Sequence, residues 1–287
     1  MVRRYGLVSA SAGGVRQPAR HRGATARHGL SKRHWQLLSL VATYGVLDTR
    51  QVTALMFDSR PTAARHLAML VKAGLLVRSV KIRDPAHLAH YKVSGAGAEL
   101  LARRLHEAGE PVPLGFGTRR HRDEAAVNDF VARLVAHARR TGQGHLYRWR
   151  HALDAAAWLR SHGIAQLDTS GYGMWIEGNL AVGFLLHIDD YPPAMALATP
   201  PASLLSGYQQ ARSRVPVAAA LVITASDERE RWLHRDTLGL RLPIRVAATT
   251  IARLHTAASP ADMIWSVAGV DDLMRLVDLG RAAPPAP

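Results

Sequence analysis

Acidic and imidazole side chains stand at the ends of predicted strands in the second half of the sequence. Asp168 ends one such segment, and His187, Asp189 and Asp190 lie within another, "FLLHIDDYP". Carboxylate oxygens together with an imidazole nitrogen form a ligand set of the kind that binds Mg²⁺ or Mn²⁺. A divalent ion held there would acidify a bound water molecule and support hydrolysis. The alternative is a group of strand-end acids that is exposed to water and has no catalytic role.

A second candidate is the basic segment Ser59–Gly74, whose pattern predicts a helix. Ser59 is a suitable N-cap, Pro61 suits the first turn, and Gly74 favours a left-handed stop. Apolar residues recur at helical spacing along one face, which consists of Ala63, Leu67, Leu70 and Val71. The rest of the helix presents Arg60, Thr62, Arg65, His66 and Met69. Such a helix suits the DNA major groove, and an ordinary solvated amphipathic helix is the alternative.

The composition excludes several kinds of site and of protein. The 287 residues include no cysteine, which excludes disulfides, iron–sulfur clusters, cysteine-based zinc sites and thiol nucleophiles. The longest apolar runs, 180–186 and 215–223, are too short to span a bilayer. The first residues lack the apolar run of a signal peptide. We therefore expect a cytoplasmic protein without membrane contact.

The positive charge is confined to the first part of the chain. Residues 1–122 hold 21 lysines and arginines against 6 acids, which accounts for the whole net charge of +15. Residues 123–287 hold 16 basic and 16 acidic residues and are neutral. This segregation indicates a nucleic-acid-binding module followed by a neutral domain. A basic surface that serves only solubility is the alternative, but it would be expected to be evenly distributed.

The elements that would position the basic helix form a winged helix-turn-helix over residues 30–107. Helices are predicted from Ser31 to Tyr44 and from Thr49, as cap, to Met56, followed by the basic helix. Two strands, 76–82 and 90–93, then form a basic hairpin, and a helix runs from the cap Ser94 to about 105. The hairpin predicts a wing whose phosphate-binding residues are Lys81, Arg83 and Lys92. Residues 1–29 are expected to be a disordered basic arm, and 108–120 a linker.

Residues 121–280 predict an α/β domain with a mixed central sheet, before a disordered tail at 281–287. The apolar run 217–224, "VAAALVIT", is typical of a strand buried on both faces. Helices are predicted at 121–140, 153–160, 200–212, 227–235 and 270–279, and strands at 147–149, 164–168, 173–177, 180–189, 217–224 and 244–249. Alternation of this kind is the pattern of an α/β fold.

Short motifs along the chain resemble the replication-relaxation family of actinobacterial plasmids and integrative elements. They are His121 with Asn128-Asp129-Phe130, the strand ending at Asp168, the segment "FLLHIDDYP", and Tyr208 on a later helix. The resemblance implies a winged helix joined to a restriction-endonuclease-like domain, with a role in plasmid replication, mobilisation or relaxation. Active members of that fold use Pro-Asp and then an acid two residues before a lysine.

The sequence departs from that active pattern. Leu167 precedes Asp168 where proline would stand, and His187 stands where the family often has glutamate. The only lysines are Lys32, Lys72, Lys81 and Lys92, all in the first domain. We therefore expect an inactive nuclease-like domain that serves as a scaffold, with no cofactor.

The expected function is sequence-specific binding of double-stranded DNA by an accessory or regulatory protein of plasmid or mobile-element replication or mobilisation. A homodimer and contacts with replication or mobilisation proteins are expected as well. One alternative is a DNA-nicking nuclease that uses Mg²⁺ with Asp168, Glu177 and Asp189 as catalytic acids, or Asp168, His187 and Asp189 as metal ligands. The others are a transcriptional repressor and an adaptor that binds only proteins.

Overall fold

The computed structural model describes residues 29–80, 88–109, 124–164, 167, 169–189, 215–238, 242 and 244–280. The chain divides into two compact units between Asn128 and Asp129. The predicted basic arm, the tip of the wing with Lys81 and Arg83, most of the linker, and the tail lie outside the described residues. Asp168, Asp190 and the helix predicted at 200–212 lie outside them too.

The first unit has the order of a winged helix-turn-helix. Its helices are α1 (Lys32–Tyr44), α2 (Thr49–Met56), α3 (Arg60–Lys72) and α4 (Gly95–Glu107), and its strands are β1 (Val46–Asp48), β2 (Leu76–Val80) and β3 (Ala89–Val93). The strands form an antiparallel sheet in the order β1-β3-β2. The predicted winged helix is thereby confirmed, with β1 as an additional short strand.

Serine caps begin three of these helices, as the sequence predicts. The side chains of Ser31, Ser59 and Ser94 accept hydrogen bonds from backbone N–H groups of α1, α3 and α4. The predicted cap of α2 was wrong, because Asp48 and not Thr49 holds that position. Asp48 Oδ1 accepts from the backbone of Gln51 at 2.9 Å, and Gln51 Oε1 accepts from the backbone of Asp48 at 3.0 Å. This reciprocal pair is a capping box.

The first unit encloses its core between α1, α2, α3 and the strands. Fully buried side chains from these elements include Leu37, Leu38, Val41, Leu47, Val52, Ala63, Leu67 and Leu70. Trp35 is half-buried, and the guanidinium of Arg104 lies 4.3 Å from its ring centre. The inward face of α3 is the predicted one, so its other faces remain available at the surface.

The second unit is built on a mixed sheet with helices. Helix α5 (Glu124–Thr141) begins in the first unit and continues into the second. The described elements that follow it are β4 (His145–His151), α6 (Ala152–Ser161), β5 (Gly171–Glu177), β6 (Leu180–Asp189), β7 (Ala219–Thr224), α7 (Asp227–Leu238), β8 (Arg245–Thr250), α8 (Ile251–Thr256), β9 (Trp265–Val267), β10 (Val270–Met274) and a 3-10 helix, Leu276–Gly280. The seven described strands lie in the order β10-β9-β8-β7-β6-β5-β4. Strands β6, β7 and β8 are parallel, and the other pairs are antiparallel. The α/β unit with a mixed central sheet that the sequence predicts is thereby confirmed.

Two predicted elements of the second unit were wrong. Ile164 and Leu167 are not in a strand, because Gly163, with φ of +80°, ends α6 and the N–H of Ile164 bonds to the carbonyl of Leu159 at 3.0 Å. The helix predicted at 270–279 is instead β10 and the 3-10 helix. Gly269, with φ of +78°, turns the chain so that β10 pairs with β9. Among the described residues, no helix is long and apolar enough to cross a membrane.

Candidate nucleic-acid interface

Helix α3 presents two arginines away from its packed face. Arg65 is exposed on the side opposite Ala63, Leu67 and Leu70, which are fully buried, and Arg60 is exposed at the N-terminal end of the helix. In a helix-turn-helix of this kind, the third helix enters the major groove. Arginine side chains on its unpacked side can then donate hydrogen bonds to base edges or phosphates. The two arginines that the sequence predicts are therefore at the surface.

The N-terminus of α3 holds Thr62 in its cap. The Ser59 hydroxyl donates to Thr62 Oγ1 at 2.9 Å and accepts from the Thr62 backbone N–H at 3.4 Å. Pro61 in the first turn lacks an N–H that would otherwise need a partner. Thr62 is half-buried and helps to fix the start of the helix. Its predicted contact with DNA would be made from this position.

His66 joins α3 to α1. Its Nδ1 lies 3.0 Å from His34 Nε2, and His34 Nδ1 lies 2.9 Å from the hydroxyl of Ser31. The His66 ring also stacks on Phe57, with ring centres 5.1 Å apart. Burial, and then the charge of His34 and neighbouring arginines, lowers the pKa of His66 below its usual value. No local sequence pattern could have predicted this contact, because His34 lies 32 positions before His66.

The wing carries exposed basic side chains on both of its strands. Lys92 of β3 is exposed, as predicted for a phosphate contact, and pairs with Val77 across the hairpin. Arg78 of β2 is exposed too and was missing from the predicted set. Residues 76–82, "LVRSVKI", alternate apolar and basic side chains, and this pattern could have identified Arg78 as exposed. The predicted Lys81 and Arg83 belong to the undescribed tip.

The acidic group at the end of β6 differs from the prediction. Asp189 was expected to face water or a metal, but the residue is buried, with 1% of its surface exposed. Its Oδ2 accepts from Arg229 Nε at 2.6 Å, and its Oδ1 accepts from Arg229 Nη2 at 3.0 Å. Both carboxylate oxygens are thus engaged by one buried guanidinium from α7. His187, two residues earlier on the same strand, is buried as well.

Glu177 does not join Asp189 in one site. Glu177 pairs with Leu180 at the start of β6, and Asp189 ends that strand. Nine residue steps at about 3.3 Å each separate Leu180 from Asp189 by roughly 30 Å. Glu177 instead accepts hydrogen bonds from Trp175 Nε1 at 3.1 Å and from Arg275 Nη2 at 2.7 Å. The predicted catalytic set of Asp168, Glu177 and Asp189 is therefore wrong in placing Glu177 and Asp189 together.

The side chains described at this strand end do not fit a Mg²⁺ ion. Magnesium needs carboxylate oxygens that can enter its octahedral shell, and those of Asp189 are already bound by a cation. Within the described ranges, no group of three His, Cys, Asp or Glu residues could hold a metal. Of the predicted ligands Asp168, His187 and Asp189, the first lies outside the described residues, and the carboxylate of the last is bound by Arg229.

Comparison with known proteins gives a family match and distant structural similarity. No curated protein sequence matches the chain. Its first part resembles a mutant of the E. coli regulator MarR complexed with operator DNA (15% identity, 28% of this chain, 56% of that one, TM-score 0.27) and NadR in complex with 4-hydroxyphenylacetate (28% identity, 27% and 54%, TM-score 0.25). Over 79% of its length it is similar to 43% of the restriction endonuclease FokI, at 10% identity and a TM-score of 0.25.

The chain thus spans a little over half the length of the MarR structures it matches. The order and pairing of the chain's own helices and strands show the winged helix and the mixed sheet. The replication-relaxation family profile matches residues 38–191, which is more than half of the 287 residues. The match covers the helix-turn-helix, the wing and the first three strands of the second unit. The chain therefore belongs to the replication-relaxation family.

Proposed function

We propose that this protein binds specific double-stranded DNA sequences as an accessory or regulatory protein of plasmid or mobile-element replication or mobilisation. The observation that carries the proposal is the exposure of Arg65 on the side of α3 opposite its packed face, with Arg60 exposed at the N-terminal end of the same helix. A helix held on one side and basic on the other can enter the major groove without disturbing its own fold. Family membership supports the replication-related part of the proposal.

In this proposal, α3 contacts the bases of the DNA and the wing contacts its phosphates. Arg65, in the middle of α3, is placed to contact guanine, and His66 approaches the groove from its contact with His34. Exposed Lys92 and Arg78 of the wing bind phosphates, together with the predicted Lys81 and Arg83. Base contacts set sequence preference, whereas phosphate contacts add affinity for every sequence.

Footprinting on the DNA upstream of the protein's own gene, followed by fluorescence anisotropy on the protected duplex, tests the proposal. An Arg65→Ala, Lys81→Ala double variant should bind the site more weakly and distinguish it less well from competitor DNA. Loss of an arginine that contacts guanine in two places costs roughly 1–3 kcal/mol. Arg231→Ala, an exposed arginine of α7, serves as the matched control. Unchanged binding by the double variant would contradict the assignment, and binding of a protein partner without DNA would favour an adaptor.

The second unit is proposed to act as a scaffold and not as a nuclease. Two features support this: Arg229 occupies both oxygens of Asp189, and the sequence has no lysine after residue 122. Phosphodiester cleavage needs a positive group that stabilises the charge developing on the phosphate oxygens, and guanidinium is a poor proton donor. Purified protein with Mg²⁺ should leave supercoiled plasmid intact. Nicking by the wild type that disappears in an Asp168→Ala, Asp189→Ala variant, while circular dichroism shows the variant to be folded, would establish the nuclease alternative.

A homodimer is proposed for the DNA-bound form. Helix-turn-helix proteins commonly bind two half-sites that are related by the symmetry of a protein dimer. Light scattering of the free protein and of its complex with the footprinted duplex measures the stoichiometry directly. Two chains on one duplex would support the dimer, and a single chain in both states would refute it.

A further inference from the structure

The second unit has a net charge close to zero, but it contains one basic segment. Residues 139–162 contain five arginines and a single acid, Asp154, whereas residues 163–287 contain ten arginines and twelve acids. The segment comprises the end of α5, the whole of β4 and α6. The excess of positive charge therefore lies beside one strand of the sheet and is not spread over the unit.

Strand β4 is an edge of the sheet as far as the chain is described, since it pairs there with β5 alone. Its sequence, "HLYRWRH", alternates aromatic and basic residues. The register shifts between Leu146 and Arg148, so Tyr147 is the extra residue of a β-bulge. Bulges are known to redirect a side chain at a sheet edge. Tyr147 is 50% exposed, which is unusual for so large a ring.

Two basic groups adjoin this exposed ring. The guanidinium carbon of Arg148 lies 5.8 Å from the centre of the Tyr147 ring, and the imidazole of His145 meets it edge-on at 6.4 Å. Arg139 and Arg140, in the last turn of α5, are exposed and precede β4 by a few residues. Trp149, by contrast, is only partly exposed and contacts the buried Phe184, with ring centres 6.4 Å apart. One aromatic ring of the strand is thus available at the surface, beside the guanidinium of Arg148.

We infer that Tyr147 with Arg148 and His145 on β4, together with Arg139 and Arg140 in the last turn of α5, binds single-stranded DNA. An exposed ring beside guanidinium groups suits an unpaired base, which stacks on the ring while its phosphates contact the arginines. Bases of a duplex are already stacked inside the helix and cannot reach a tyrosine in this way. A peptide added along the β4 edge would gain backbone hydrogen bonds but would have to be acidic to match the charge. The surface is distinct from α3 and the wing and does not depend on their function.

Fluorescence anisotropy of the full-length protein with a labelled oligothymidylate tests this surface, since thymidylate forms no duplex with itself. A Tyr147→Ala, Arg148→Ala variant should bind the oligonucleotide roughly tenfold more weakly. Tyr147→Phe should bind like the wild type, because stacking needs the ring and not the hydroxyl. The matched control is Leu238→Ala, Arg231→Ala, which removes a large exposed apolar residue and an exposed arginine from α7 of the same unit. Circular dichroism of each variant verifies that it is folded.

The winged-helix variant Arg60→Ala, Arg65→Ala separates this inference from the proposed function. It should retain oligothymidylate binding, whatever becomes of its binding to the footprinted duplex. Loss of oligothymidylate binding in this variant would assign the single strand to the winged helix and overturn the inference. It would also be overturned by a wild type that binds no oligothymidylate, by an equal loss in the Leu238→Ala, Arg231→Ala control, or by unaltered binding in the Tyr147→Ala, Arg148→Ala variant.

Discussion

Asp189 at the end of β6 and Arg229 in α7 form a buried ion pair with two parallel hydrogen bonds, of 2.6 and 3.0 Å. The side chains are 0% and 5% exposed, respectively. Each charge has lost most of its water, so each depends on the other for compensation. The pair fixes α7 against the carboxyl end of β6. An acid that the nuclease alternative would use for catalysis is in this way part of the unit's structure.

The first prediction is that Arg229→Ala destabilises the protein strongly. The substitution leaves the Asp189 carboxylate buried without its cation, which costs roughly 3–5 kcal/mol in comparable cases. Urea unfolding followed by tryptophan fluorescence measures the loss. Arg231→Ala, two residues along the same helix and exposed, should change stability by no more than about 0.5 kcal/mol. Equal stability of the two variants would mean that the pair contributes little.

Local patterns in the sequence predicted the first unit well. Ser31, Ser59 and Ser94 cap their helices by contacts within three residues, and the apolar face of α3 follows from its period alone. Short-range patterns were insufficient at 270–279, where a glycine turn and pairing with β9 outweighed helical spacing. Nor could they show that Asp189 is buried, since its partner lies 40 positions later. The exposure of the arginines of α3 was predictable, because it follows from the position of each residue in the helix. The partner of Asp189 was not predictable, because ion pairing depends on tertiary structure.

The second prediction concerns pH. Burial lowers the pKa of His151 from its ordinary value of 6.5 to about 4, and Trp149 Nε1 donates to its Nε2 at 3.2 Å. A protonated Nε2 could not accept that hydrogen bond. As the pH falls through 6.5 the unfolded chain takes up a proton that the folded chain excludes until about pH 4, so stability decreases across that window. Above it, this histidine contributes no pH dependence.

The variant His151→Gln should therefore lose less stability on acidification than the wild type. Glutamine offers an oxygen to Trp149 at every pH in the window and does not titrate. Urea midpoints at about pH 7 and about pH 4.5 give the difference for each protein, since the unfolded state binds the extra proton only at the lower pH. His145→Gln, an exposed histidine of the same strand, is the control and should behave like the wild type. An equal acid-induced loss in wild type and His151→Gln would show that another group is responsible.

The third prediction distinguishes phosphate contacts from base contacts in the proposed interface. Lys92→Ala and Arg78→Ala each remove one exposed cation from the wing. Each should weaken binding to all duplex sequences and reduce the slope of log K against log salt by about one. Titrations at several NaCl concentrations provide the slope, with Arg235→Ala of α7 as the exposed control. A slope that equals that of the control would place the wing away from the DNA backbone.

The last prediction concerns Asn128, the final residue of the first unit and part of the motif Asn128-Asp129-Phe130. Its side chain is fully buried, and its Nδ2 donates to the carbonyls of Tyr44 and Val46, both at 2.9 Å. Tyr44 ends α1 and Val46 begins β1, on either side of Gly45 with its φ of +71°. One amide group thus satisfies two backbone oxygens at the turn between helix and strand.

Replacing Asn128 with Asp removes both N–H donors while keeping nearly the same shape. The two carbonyls would then face a carboxylate or a protonated acid with one donor at most, and leaving a buried acceptor unsatisfied costs roughly 1–3 kcal/mol. We expect Asn128→Asp to lower the urea midpoint, and to do so more at neutral pH than at about pH 4, because protonation restores one donor and removes the buried charge. Asp129→Asn, the inverse exchange at the adjacent, half-buried position, is the control and should change stability much less. If both variants unfold at the same urea concentration as the wild type, the side chain of Asn128 does not hold this turn.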